Sequence, residues 1–360
     1  MVAERIHHQD VSSEPILEVY GLTKHFPAGG SIVPGAHARM IHALDDVSFA
    51  LRPGRITALV GESGSGKSTV ARLLAQLYLP TSGQILFHGE DVSKVRGRNA
   101  KLQYRAQVQM IFQDPFGSLN PVKRIEYDVA RALKIHKVVP ERDIKTRVRE
   151  LLQTVGLVPP DEIARKYPHQ LSGGQRQRVN IARALAVQPA VLLADEPISM
   201  LDVSIRMGIL NLMLDLKRRE NIAFLYITHD IASARYVSDE VIVMYAGQVV
   251  EQGETDAVLQ TPLHPYTRLL LSAIPSPERG FSDSAEMVRG EAPTVIDPKD
   301  MCRFAPRCPV AVEASFCKMP ALVEAEPGHW VRCHLYPQPP LPPGGGGVGG
   351  EGARATGDAG

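Results

Sequence analysis

The glycine-rich segment GESGSGKST, at residues 61–69, limits the possible folds of this chain more than any other feature. It follows the apolar run RITALV and fits the phosphate-loop pattern G-x-x-x-x-G-K-S/T. Such a loop joins a strand to a helix, and its backbone N–H groups and the positive end of the helix attract phosphate. We therefore predict an α/β fold in which a strand delivers this loop to a nucleotide.

The residue types in this loop assign roles to individual side chains. Lys67 would reach the β- and γ-phosphates, and the Ser68 hydroxyl would bind Mg²⁺. Glycines allow the backbone N–H groups to turn toward the phosphates. The predicted nucleotide-binding residues of the loop are Gly61, Ser63, Gly64, Ser65, Gly66, Lys67, Ser68 and Thr69.

Further apolar runs also end where a polar residue begins, which predicts strands at residues 108–112, 191–194 and 224–228. Helices are predicted between the strands at residues 67–77, 141–155, 174–187 and 205–220, and a hairpin begins at residue 240. This alternation predicts a mostly parallel sheet covered on both faces, with ligands at the carboxyl ends of its strands.

The polar residues at these strand ends suit ATP hydrolysis. Asp195 could hold Mg²⁺ through water, and Glu196 could polarise a water molecule for attack on the γ-phosphorus. Gln113 could bridge the metal and that water molecule. His229 could contact the γ-phosphate and orient Glu196 or the water molecule.

A second glycine-rich turn occurs at LSGGQRQRVN, residues 171–180. Ser172 and Gln175 form the S-x-x-Q pattern of a capping box, and Gly173 and Gly174 leave the adjacent N–H groups uncovered. The turn is therefore a second anion receptor at a helix N-terminus. Because one nucleotide needs one cradle, we predict that a second subunit presents this turn to the ATP held at residues 61–69.

The order of these motifs resembles the ATP-binding cassette (ABC) superfamily from residue 16 to about residue 274. The resemblance implies a Walker A loop, a Q-loop at Gln113, a signature motif at 171–175, Walker B at 191–196 and an H-loop at His229. It also implies that Asp202 of SMLD belongs to the D-loop near the nucleotide and that Phe26 stacks on adenine. Met200 stands where the D-loop usually has alanine.

Three further segments narrow the resemblance to the oligopeptide, dipeptide and nickel branch of bacterial importers. They are FQDPFGSLNP at 112–121, HPYTRLLLSAIP at 264–275 and the tail CRFAPRCP. This branch implies two membrane permeases, a second ATPase subunit that is a copy or a paralogue, and, indirectly, an extracellular substrate-binding protein. Its ATPases work at the cytoplasmic face of the cell membrane. Peptide cargo is expected, with oligosaccharides or another small solute left open.

Four cysteines, Cys302, Cys308, Cys317 and Cys333, are confined to one segment, and the first 301 residues contain none. Their spacing, C-x5-C-x8-C-x15-C, lacks the tight C-x2-C pairs that zinc ribbons favour. Related cassette subunits hold an iron–sulfur cluster, so the resemblance favours a 4Fe–4S cluster over zinc. Unliganded buried thiols remain the alternative, and a disulfide is disfavoured in a reducing cytosol.

Composition argues against a basic nucleic-acid-binding protein, a secreted protein and a membrane-spanning protein. Forty basic and 39 acidic residues leave a net charge of +1, so no basic surface for nucleic acid is expected. We find no signal peptide and no apolar stretch of about 18–20 residues that could span a membrane.

A soluble cassette ATPase acting on nucleic acid or ribosomes is the rival interpretation of the chain's function, and a regulatory module that holds ATP without hydrolysing it is a third.

The expected organisation has three parts. Residues 1–274 form an ABC-type P-loop NTPase domain with a helical subdomain inserted at about 118–175. Residues 275–338 form a small, irregular, cysteine-containing extension. Residues 339–360 are rich in proline and glycine and are predicted to be disordered.

Overall fold

The computed structural model describes residues 14–28, 39–95, 97–115, 117–273 and 294–337. The tail predicted at 339–360, and the first part of the extension predicted from residue 275, lie outside the described residues.

The described residues contain strands β1 (Leu17–Pro27), β2 (Met40–Leu51), β3 (Ile56–Val60), β4 (Ser82–Phe87), β5 (Glu90–Asp91), β6 (Val108–Ile111), β7 (Val191–Asp195), β8 (Ala223–Thr228), β9 (Glu240–Tyr245), β10 (Gln248–Glu254), β11 (Val323–Glu326) and β12 (His329–Val331). The helices are α1 (Lys67–Leu74), α2 (Arg98–Gln107), α3 (Ile125–His136), α4 (Ile144–Thr154), α5 (Pro160–Arg165), α6 (Gly173–Leu185), α7 (Val203–Glu220), α8 (Ile231–Val237), α9 (Thr255–Gln260), α10 (Pro265–Ser272) and α11 (Ala314–Cys317).

The main sheet has the strand order β11-β12-β10-β9-β3-β8-β7-β6. Strands β9, β3, β8, β7 and β6 pair in parallel, and β3, β7 and β8 are buried along their whole length. Burial on both faces explains why these strands are continuous apolar runs. The carboxyl ends of β3, β6, β7 and β8 lie at one edge of the sheet, as predicted, and this edge carries the phosphate loop.

A second, antiparallel sheet has the order β2-β1-β4-β5. Its apolar residues Leu17 and Leu44 join one buried cluster with Leu59 of β3 and Val70 of α1. The second sheet thus covers one face of the main sheet beside the phosphate loop. The sequence motifs carried no signal for it.

Helices α3, α4 and α5 occupy the stretch predicted as a helical subdomain, and α6 follows them. Ile125, Val148 and Ile163 from these three helices share a buried cluster with Val179 of α6. Helix α6 therefore connects this helical layer to the main sheet. None of the helices in the described part of the chain combines the length and the hydrophobicity that a membrane span requires.

The predicted hairpin is present, since β9 and β10 pair through a turn at Ala246 and Gly247 whose φ angles of 47° and 83° suit a tight hairpin. The extension, which was predicted to be small and irregular, also contains regular strands. Strands β11 and β12 continue the main sheet, because β12 pairs with β10. This pairing satisfies backbone groups that β10 would otherwise expose at an open edge.

Helix α1 ends at Leu74 and not at residue 77 as predicted. Gln76 takes a left-handed conformation with φ of 52°, and its side-chain Nε2 donates to the Val92 carbonyl over 2.9 Å. This contact with a distant segment ends the helix where the local sequence carries no stop signal.

Candidate nucleotide-binding site

The phosphate loop connects β3 to α1, and its glycines are required for its shape. Gly64 has a φ of +79°, and a Cβ placed there would meet no atom within 4 Å, because the position faces open space. Gly66 has a φ of +100°, and a Cβ there would lie 2.6 Å from the Ala43 carbonyl oxygen. The loop is thus an uncovered backbone cradle at the start of a helix, which suits a phosphate chain.

Lys67 lies buried beneath this cradle. Its Nζ donates to the carbonyl oxygens of Gly61 at 2.8 Å and Glu62 at 2.7 Å. Burial lowers the pKa of Lys67 to about 8, while the nearby carboxylates of Glu196, Asp195 and Glu62 act in the opposite direction. A bound phosphate would also favour the charged ammonium.

Oxygen ligands for a metal ion meet beside the loop. The Ser68 hydroxyl donates to Asp195 Oδ1 over 2.9 Å. Burial raises the pKa of Asp195, and this hydrogen bond opposes the shift. A hydroxyl and a carboxylate in contact are hard oxygen ligands of the kind Mg²⁺ prefers, so these residues fit that ion.

Glu196 forms the centre of a three-residue network. Gln113 Nε2 donates to Glu196 Oε2 over 2.8 Å, and His229 Nδ1 lies 3.0 Å from Glu196 Oε1. Glu196 has a positive φ of 46°, which costs energy for a side chain of this type and is common at functional sites. The three residues come from the ends of β6, β7 and β8, as the sequence predicted, and the structure brings them together.

The second glycine-rich turn forms the N-terminus of α6. Ser172 Oγ accepts from the Gln175 N–H over 3.3 Å, and the Ser172 N–H donates to Gln175 Oε1 over 3.1 Å, so the predicted capping box is present. Ser172 is exposed. Among the described residues that line the pocket of the phosphate loop, none comes from 171–175.

Asp202 and Phe26 lie outside the described pocket lining. Asp202 is exposed at the N-terminus of α7, where its side chain makes no capping hydrogen bond. Phe26 is half-buried at the end of β1, with its ring edge-to-face with Tyr78 at 5.5 Å. The roles of both residues stay predictions.

Part of the pocket wall comes from residues outside the predicted motifs. His42 lines the pocket together with Thr294 and Val295, and the His42 N–H donates to the Val295 carbonyl over 2.9 Å. The described start of the C-terminal extension therefore lies along β2 and forms a wall of the pocket that contains the phosphate loop. Thr294 and Val295 belong to no motif, so the sequence contained no signal for this placement.

Three of the four cysteines share one neighbourhood. Burial raises the pKa of Cys302 and of Cys333, and Cys308 raises both further. Cys317 is exposed at the end of α11. The Cys302 N–H donates a hydrogen bond to the Ser315 carbonyl of this helix over 2.9 Å. The four cysteines are described, and no three bring their sulfurs within 4.8 Å of one another.

Two family models match the chain. The one described as "ABC transporter" matches residues 44–199, and the one described as "Oligopeptide/dipeptide transporter, C-terminal region" matches residues 250–317. The first match includes the phosphate loop, the second glycine-rich turn and Glu196. The second includes α10 and three of the four cysteines.

Similar proteins extend over most of the chain. The oligopeptide transport ATP-binding protein AppF of Bacillus subtilis is 42% identical over 330 residues, which is 90% of this chain and 98% of AppF. The putative oligopeptide transport ATP-binding protein YkfD of the same organism is 41% identical, covering 89% and 96%.

Solved structures with the same fold cover the cassette part of the chain. The structure of cbiO1 from Clostridium perfringens, described as part of an ABC transporter complex, has a TM-score of 0.58 and 30% identity over 69% of this chain and 92% of its own. A dimeric post-hydrolysis state of the cassette MJ0796 bound to ADP and Pi has the same TM-score and 28% identity over 66% and 98%.

Proposed function

The chain belongs to the ABC transporter ATP-binding proteins of the oligopeptide/dipeptide import family, and we infer that it hydrolyses ATP to drive such import. The observation that carries this conclusion is the match over nearly the full length of AppF, including the C-terminal region that marks peptide transporters. The assembled network around Glu196 agrees with an active ATPase and disfavours a module that only holds ATP.

We propose the following roles within one subunit. The N–H groups of the loop and the Lys67 ammonium bind the β- and γ-phosphates. Ser68, Asp195 and Gln113 are the residues that would hold Mg²⁺, which supplies charge neutralisation at the phosphates when bound. Glu196 accepts a proton from water as the water oxygen attacks the γ-phosphorus and the bond to ADP breaks. His229 holds Glu196 and contacts the γ-phosphate.

We propose that hydrolysis requires a second cassette subunit, a copy or a paralogue. The exposed capping box at Ser172 and Gln175 would contact the γ-phosphate of the ATP on that partner, and Asp202 would lie at the same interface. The support is that Ser172 is exposed and lies outside the chain's own pocket. ATP then joins the subunits, and loss of the γ-phosphate releases them.

We propose that two permease subunits hold the protein at the cytoplasmic face of the membrane and that a substrate-binding protein delivers the peptide to them. The proposed contact with a permease is supported by a surface groove whose lining includes residues on both sides of Gln113 in the sequence, among them Arg105, Phe112 and Ser118. Phe112 and Leu77 both line this groove and are 40% and 48% exposed, so the groove offers adjacent apolar side chains that a partner could cover.

We also propose that the four cysteines bind a 4Fe–4S cluster, which would cross-link residues 302–333 through four thiolates. The support is the shared neighbourhood of Cys302, Cys308 and Cys333. The test is analysis of iron and acid-labile sulfide in the full-length protein purified without oxygen. Equal amounts of both, lost in Cys308→Ser, are expected. Zinc alone, or no metal, would contradict the assignment.

The test of the function uses Glu196→Gln in the complex with its permeases. We expect no hydrolysis, retained ATP binding and no ATP-driven peptide uptake into vesicles. The control Glu220→Gln changes an exposed glutamate at the end of α7 and should keep both activities. If the wild type hydrolyses ATP no faster than Glu196→Gln, the ATPase assignment fails. Stimulation by nucleic acid in place of permeases would favour the soluble ATPase.

A further inference from the structure

An ion pair connects the phosphate loop to the C-terminal extension. Arg307 Nη1 lies 2.8 Å from Glu62 Oε2, and Arg307 Nη2 lies 2.9 Å from Glu62 Oε1. This is a bidentate contact, and both side chains are largely buried, with exposures of 14% for Arg307 and 20% for Glu62. Pairs with this geometry are stronger and more rigid than surface ion pairs.

The position of Glu62 makes this contact relevant to nucleotide binding. Glu62 lies inside the phosphate loop, between Gly61 and Ser63, and its carboxylate is close enough to Lys67 to favour the charged form of that ammonium. A carboxylate in this place would repel a triphosphate if its charge were not balanced. Arg307 supplies the balancing charge.

Neighbouring tyrosines fix the pair in place. The Glu62 N–H donates to the Tyr266 hydroxyl over 2.9 Å, so the backbone of the loop is held as well as the side chain. The Arg307 guanidinium lies 5.6 Å from the centre of the Tyr245 ring, within the range of a cation–π contact. Tyr266 lies in α10, and Arg307 lies in the cysteine segment directly before Cys308. Both residues therefore follow the last cassette motif, at His229, in the sequence.

A second arginine of the same segment reaches the phosphate loop through one intermediate residue. Arg303 pairs with Asp45 and donates to the Ala246 carbonyl. The next residue, Gly247, donates its N–H to the Ser65 carbonyl of the phosphate loop over 3.0 Å. The extension thus contacts the loop directly through Arg307 and indirectly through Arg303.

We propose that Arg307 is a positioning residue for ATP, which holds Glu62 away from the phosphates and neutralises its charge. The affinity of the cassette for ATP then depends on the C-terminal extension. This inference rests on the ATP-binding part of the proposed function. Arg307 does not touch the reacting atoms, so its substitution should affect binding more than the chemical step.

The test measures the Kd for Mg–ATP of the full-length chain with four proteins: wild type, Arg307→Gln, Glu62→Gln and the double variant. Arg307→Gln leaves the Glu62 carboxylate unbalanced, so we expect Kd to rise roughly five- to tenfold, with less increase at high salt. The double variant removes both charges and should return Kd to within about twofold of the wild type. Glu62→Gln alone leaves an unbalanced cation and should bind ATP at least as tightly as the wild type.

A purely structural role for Arg307 predicts different results. The double variant would then bind ATP as weakly as Arg307→Gln, and Glu62→Gln would also bind weakly; either result would overturn the proposal. The outcome for Glu62→Gln decides the matter even if Arg307→Gln does not fold. Arg142→Gln, at an exposed arginine of the helical subdomain, is the matched control and should leave Kd unchanged. Failure of the wild type itself to bind Mg–ATP would refute the proposed function and not this inference alone.

Discussion

The substitution Glu251→Gln tests how the C-terminal extension is attached to the cassette. Glu251 lies in β10 and is fully buried, and its carboxylate accepts three hydrogen bonds. They come from the N–H of Leu263 at 2.8 Å, the N–H of His264 at 2.9 Å and Nε2 of His329 at 2.8 Å. One side chain therefore holds both the segment before α10 and strand β12.

Glutamine has the same shape but has one NH₂ group in place of an acceptor oxygen. At least one of the three donors would then face another donor, and the remaining bonds would lose the contribution of the charge. Because hydrogen bonds to buried charged groups contribute about 1.5–3 kcal/mol each, we expect the free energy of unfolding to fall by about 2–4 kcal/mol.

The assay is urea unfolding of the full-length protein, with Glu254→Gln as the control. Glu254 lies in the same strand, but its side chain is 60% exposed and pairs with Arg55 at 2.7 Å. An exposed pair of this kind contributes about 0–1 kcal/mol. If Glu251→Gln destabilised the protein no more than Glu254→Gln, the reasoning about the buried carboxylate would be refuted.

Three further substitutions test individual assignments. Lys67→Ala should raise the Kd for Mg–ATP at least about tenfold, measured by nucleotide titration, because a charge-assisted bond to phosphate is lost. Ser172→Arg should leave ATP binding to a single subunit intact and stop hydrolysis in the complex; with a paralogous partner, the defect should appear at the partner's ATP site. Burial lowers the pKa of His264 from 6.5 to about 4, because the folded protein disfavours the charged imidazolium. The stability that depends on a neutral His264 is therefore complete above pH 6.5 and is lost as the pH falls toward 4. His264→Asn keeps a capping acceptor for the Tyr266 N–H. Between pH 7 and 4.5, the free energy of unfolding of this variant should fall by up to about 3 kcal/mol less than that of the wild type.

The parallel core, and the edge of the sheet that carries the phosphate loop, could be predicted from the sequence because their signals are local. Each buried strand is a short apolar run, and the residue that follows it is the one the sheet brings to the site. The contacts of Glu196 with Gln113 and His229 follow from the positions of these residues at the ends of neighbouring strands. The capping box at Ser172 is likewise contained in four consecutive residues.

The features that the sequence did not reveal depend on contacts between distant segments. Arg307 and Glu62 are separated by 245 positions, and neither residue type alone indicates a partner. The pairing of β12 with β10 depends on an open sheet edge that becomes visible only in the assembled fold.

The most direct test of the central claim is the structure of the assembled complex carrying Glu196→Gln, determined with Mg–ATP bound. The decisive measurement is the distance from Ser172 Oγ of this chain to the γ-phosphate of the ATP held by the partner cassette. The account predicts hydrogen-bond contact, at about 3 Å. It would be contradicted if Ser172 faced solvent, with no triphosphate near it, while ATP occupied the phosphate loops.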